Sequence, residues 1–137
     1  MGYGQLRSRK LCAEGRFEEA LEAAAAELLT DPGEPEARFN RGQAFAGLER
    51  FEEAAAEYER ALAMDGSASA FDPEAADDEL FFALRRQAET LAADRVRAVE
   101  ALGRYLTILP EGRHVDDVGK WIDKLSGKEA VWYRDRA

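Results

Sequence analysis

The sequence predicts an all-α chain: a right-handed α-solenoid of three helix–turn–helix units closed by a C-terminal capping helix. Three observations lead there. The string Arg-Phe-Glu-Glu-Ala occurs at Arg16–Ala20 and again at Arg50–Ala54, 34 residues on, and a fixed period of that size marks a helical repeat. Leu28 and Leu62, and Asp31 and Asp65, keep the same offset. The composition is rich in Ala, Glu, Leu and Arg, which lose little side-chain freedom in a helix. The prolines and most glycines fall between amphipathic stretches as punctuation. A repeat this short cannot bury its apolar face alone, so its units must stack.

Residues 3–13 read as the first helix, with Tyr3, Leu6 and Leu11 as its apolar stripe. Glu14-Gly15 turns the chain, the glycine supplying the positive φ that a helix end often needs. Residues 16–30 form the second helix, with Phe17, Ala20, Leu21, Ala24 and Leu28 on one face. Asp31-Pro32-Gly33 stops it, because proline cannot continue a helix. The unit then repeats. Residues 36–48 carry Phe39, Gly42, Phe45 and Ala46, Glu49-Arg50 turns, and residues 51–64 put Phe51, Ala54, Tyr58, Ala61 and Leu62 on one face.

The third unit departs from the period. Residues 67–71 read as an extended linker, and Asp72-Pro73 is an N-cap followed by proline in the first turn. That helix runs to about Ala92 with Phe81, Leu84, Ala88 and Leu91 inward. Asp94 starts its partner, with Ala98, Val99, Leu102, Tyr105 and Leu106 inward and Pro110 as the stop. Residues 115–125 form the capping helix. Val118, Trp121, Ile122 and Leu125 are its apolar side, and Asp116, Asp117, Lys120, Asp123 and Lys124 its polar one. The repeat domain therefore spans residues 1–125, with units at about 1–34, 35–68 and 72–110, and residues 126–137 are expected to be a flexible tail.

The net charge of −9 comes from the body: residues 11–110 hold 10 basic against 22 acidic side chains. Such a body repels phosphate backbones, so nucleic acid is not an expected partner, whereas a partner with a basic surface is favoured. The single cysteine, Cys12, allows no internal disulfide and fits a reducing compartment. No apolar run is long enough for a membrane span, and the first residues lack the apolar core of a signal peptide. The expectation is a soluble, cytoplasmic protein. Richness in Ala, Arg and Glu with few Lys hints at a GC-rich bacterial genome. His114 is the only histidine and has no neighbouring ligand set, so no metal is expected. Cys12 lacks a candidate histidine partner and reads as a packing residue. No phosphate-binding or dinucleotide glycine pattern occurs. The expectation is a protein without a cofactor and without catalysis.

The pattern resembles the tetratricopeptide repeat family, most closely over residues 35–68. Gly42 stands at the small site of the first helix and Phe45 one turn later. Phe51, Ala54, Tyr58 and Ala61 follow the aromatic–small–aromatic–small series of the second. The first unit keeps Gly15, Phe17, Ala20 and Pro32 but has Ser8 at the small site, and the third keeps Ala98, Leu102 and Pro110. Arg38 and Arg41 replace large apolar residues, and Gly66 replaces the closing proline. The resemblance implies a concave groove lined by the first helix of each unit, which holds a peptide or a partner's helix. It places Gln5, Arg9, Phe39, Asn40, Gln43, Phe82 and Arg86 on that face. Phe39 and Phe82 are anchor candidates that could equally plug the packing between units, and Asn40 and Gln43 could hydrogen-bond an extended backbone. The implied function is a protein-binding adaptor or scaffold. The alternative is a self-assembling module joined through Trp132 and Tyr133 of the tail or through the uncapped first helix.

Overall fold

The computed structural model describes residues 6–66 and 69–127. Among them are seven helices and no strand: α1 (Arg7–Ala13), α2 (Phe17–Thr30), α3 (Pro35–Gly47), α4 (Phe51–Leu62), α5 (Pro73–Thr90), α6 (Arg95–Ile108) and α7 (Val115–Leu125). The fold class is the expected one, an all-α chain of the helix–turn–helix units that build an α-solenoid. No helix is long and apolar enough to cross a membrane. The contacts group the described residues up to Leu80 into one compact unit and those from Phe81 into a second.

In the first unit α1 packs on α2, α2 on α3, α3 on α4, and α1 also on α3. Small residues make this possible. Ala20, Ala24, Ala37, Ala44, Ala54 and Ala61 have no exposed surface, so helix axes can approach to about 8–10 Å. A close crossing is at Gly42, where a β-carbon would lie 2.6 Å from the ring of Tyr58. Tyr58 is fully buried and its ring meets that of Phe39 at 5.5 Å.

The turns repeat with a change. Gly15 takes φ +75° after α1, as expected. Its counterpart 34 residues on is Glu49, which adopts φ 60° with a side chain that disfavours it, at a cost of roughly 1–2 kcal/mol. Helix starts follow the sequence signals. Asp94 accepts from the amide of Arg97 at 3.2 Å, and Asp72 from that of Glu74 at 3.0 Å. Helices α1, α2 and α7 end where expected, whereas α4 stops early, at Leu62, because the Ala63 amide reaches both the Glu59 and Arg60 carbonyls and tightens the last turn. The proposed start of the first helix, at Tyr3, lies outside the described residues.

The two arginines of α3 find a single carboxylate. Glu57 of α4 has a side chain only 3% exposed, hydrogen-bonded by Arg60 at 2.7 Å, with Arg38 and Arg41 at 3.6 and 3.8 Å. An ionic cluster thus stands at a helix seam where large apolar groups are usual.

In the second unit α6 packs on α7. Leu84, Leu102, Tyr105 and Val118 form its buried centre. The His114 imidazole stacks on Phe81, with ring centres 4.4 Å apart and planes 5° apart. Its backbone amide donates to the Tyr105 hydroxyl at 2.9 Å.

Candidate functional site

A groove of about 520 Å³ opens in the first unit. Arg9, Cys12 and Ala13 come from α1; Glu36, Phe39, Asn40, Gln43 and Gly47 from α3; Ala70, Phe71, Asp72 and Ala75 from the segment entering α5 and its first turn. Phe17, the first residue of α2, also lines it. These elements are the first helices of successive units. They line one groove because residues three or four apart on a helix share a face. The shallower hollow of about 360 Å³ along α2 is lined by Arg7, Glu19, Glu22 and Glu27 with two alanines, and has no large apolar group to anchor a ligand.

Of the sequence-derived site residues, Arg9, Phe39, Asn40 and Gln43 come together here. Each also has a structural duty. Phe39 is half-buried, with Tyr58 on one side and Phe71 at 6.1 Å on another. Asn40 is 4% exposed and donates from Nδ2 to Ser8 Oγ at 3.0 Å. Ser8 in turn donates its hydroxyl at 2.5 Å and its amide at 3.0 Å to the Glu27 carboxylate. The serine at the small site thus ties three helices. Gln43 accepts from the Tyr58 hydroxyl at 2.5 Å. That phenol is held protonated well above its usual range, first by burial and then by the charge of Glu79.

Phe82 and Arg86 lie on α5 in the second unit, where Phe82 is 39% exposed and Arg86 stands 3.5 Å from Glu89. They are not among the residues that line the groove. Gln5, Trp132 and Tyr133 lie outside the described residues.

Sequence reasoning missed Glu36, Phe71 and Asp72. Glu36 is 5% exposed on the first turn of α3. Burial raises its pKa above the usual carboxylate range, against the opposing pull of Arg9. No local signal marked it, since which residue of a first turn faces the groove depends on how the helix is rotated in its packing. Phe71 had no signal either, because it lies in the linker that breaks the period. Cys12 also lines the groove. Its thiol donates to the Asn40 carbonyl at 3.3 Å, and burial with the nearby Glu27 pushes its pKa up to about 11. A neutral, bonded thiol is a poor nucleophile.

The groove therefore offers aromatic walls, amide and carboxylate groups, and room within the usual range of ligand pockets, about 300–1,000 Å³. Comparison with curated proteins gives no match. Residues 35–68, which hold α3, α4 and the Gly42–Tyr58 crossing, match the family model of the tetratricopeptide repeat. Repeats of this kind generally mediate protein–protein interactions and form a non-catalytic fold. Within an all-helical architecture, residues 35–68 of the chain are thus a tetratricopeptide repeat.

Proposed function

We propose that the chain is a cytoplasmic adaptor, its repeat domain spanning residues 1–125, that holds a peptide segment of a partner protein in the groove between α1, α3 and the start of α5. The observation that carries this reading is the convergence of Arg9, Phe39, Asn40 and Gln43 on one apolar-walled groove. Phe39 supplies anchor area, since a buried aromatic ring covers about 150–250 Å². Asn40 and Gln43 are held in place by Ser8 and Tyr58, so little side-chain freedom is lost when a ligand arrives. The acidic body favours a partner with a basic surface. The reading assigns no reaction to the chain.

The test selects phage-displayed random peptides on the full chain and measures each hit on Phe39→Ala. Loss of about tenfold or more in affinity is expected, as for an interface anchor, with far-UV circular dichroism unchanged. Unchanged affinity would remove the groove from consideration.

A further inference from the structure

The groove is charged as well as aromatic. Two carboxylates, Glu36 and Asp72, and one cation, Arg9, line it. Glu36 is the buried member, its side chain 6% exposed. Its counter-ion Arg9 reaches in from a side chain 62% exposed and stops at 3.6 Å, longer than a charge-assisted hydrogen bond of about 2.7–2.9 Å. Glu36 thus keeps its carboxylate in a poorly solvated place with a loosely held partner. Asp72 brings a second carboxylate from the segment before α5. One of its oxygens takes the Glu74 amide, and a carboxylate has about four acceptor sites. Phe17, Phe39 and Phe71 add rings whose faces attract cations. The surrounding body, with 10 basic against 22 acidic residues over 11–110, draws a cation in and turns an anion away.

We propose that the occupant of this groove is a segment of a separate partner protein that presents a lysine or arginine beside a bulky apolar side chain. The cation meets Glu36 and Asp72, and the apolar group seats among Phe17, Phe39 and Phe71. This deepens the adaptor reading and rests on it. An incoming guanidinium or ammonium supplies the close partner that Arg9 does not, in a setting where charge-assisted hydrogen bonds are stronger than in water.

The selected phage peptides provide the test. Each hit is labelled with a fluorophore and titrated by anisotropy against wild type, Glu36→Gln, Asp72→Asn and Phe39→Ala. Each is also remade with citrulline for its arginine or norleucine for its lysine. Neutralising the peptide and Glu36→Gln should each weaken binding about tenfold or more, with Asp72→Asn costing severalfold. Neutralising the peptide should matter less on Glu36→Gln than on wild type. Asparagine can still cap α5, so Asp72→Asn keeps the test valid where Glu36→Gln disturbs folding. Hits that need Phe39 but ignore the neutral peptides and both carboxylate variants overturn the cation assignment and leave the groove reading standing. Hits that ignore Phe39, or a selection that yields none, overturn both. The last probe is a free peptide of residues 128–137, which carries Trp132, Tyr133 and Arg134. It should bind more weakly than the best hit. Equal affinity would make the chain's own tail the occupant and overturn the separate partner.

Discussion

Glu57 is surrounded by Arg38, Arg41 and Arg60 and nearly closed off from water. Removing one partner from a buried ionic group leaves the others uncompensated, which costs about 3–5 kcal/mol. Glu57→Ala should therefore lower the urea midpoint by that amount of stability at constant slope. Replacing Arg38, Arg41 and Glu57 together by leucine should be neutral or stabilising by about 1–4 kcal/mol, because desolvation is then avoided. A loss below about 1 kcal/mol for Glu57→Ala would mean that water reaches the cluster. The arginines could be read from the sequence as departures from the repeat. Their carboxylate could not, because a pairing across two helices has no local signature. The same holds for Ser8, Asn40 and Glu27, whose hydrogen bonds join α1, α2 and α3.

A helix can use a glycine for close approach or merely tolerate it, and the two cases separate by substitution. In α3 a β-carbon at Gly42 would press within 2.6 Å of Tyr58, whereas at Gly103 in α6 it would meet nothing within 4 Å. Gly103→Ala should raise stability by about 0.5–1 kcal/mol through helix propensity alone. Gly42→Ala should lower it by about 1–3 kcal/mol, because overcrowding outweighs the same propensity gain. Thermal unfolding of the two variants checks both signs. Equal gains would mean that the α3–α4 seam yields freely. The existence and order of the helices were legible because apolar periodicity and turn residues agree. Their ends were less so, since a last turn is decided by which carbonyl an amide such as that of Ala63 reaches. In α5, Phe82 is 39% exposed, while Ala76, Leu80 and Ala83, all fully buried, were not marked by the chosen stripe.

Across the molecule, the net charge of −9 makes like-charge repulsion the leading long-range effect. Exposed pairs such as Arg50–Glu53 (2.7 Å) offset little of it. Repulsion acts over about 30 Å at 0.01 M salt and about 8 Å at 0.15 M. The melting temperature should therefore rise by a few degrees between those concentrations of sodium chloride. A fall would show that the ion pairs outweigh the repulsion. The resemblance to the tetratricopeptide repeat placed four of the residues that line the groove, and the period made the paired helices of the first unit legible. It could not supply the lining that comes from Phe71 and Asp72, because the linker there has no counterpart 34 residues earlier.

Helices that share a starting sequence create a problem of recognition within a chain. The second helices α2 and α4 both begin with Phe-Glu-Glu-Ala, so α3 could in principle clasp either one, or the same helix from a neighbouring copy. The Glu57 cluster breaks that degeneracy. The position 34 residues before Glu57 is Ala23, and an α3 laid on α2 in that register would hold Arg38 and Arg41 against a methyl group. Uncompensated guanidiniums make the wrong clasp costly. The charge at this seam acts as an address, so that α3 closes on its own partner and the copies of the repeat are not interchangeable.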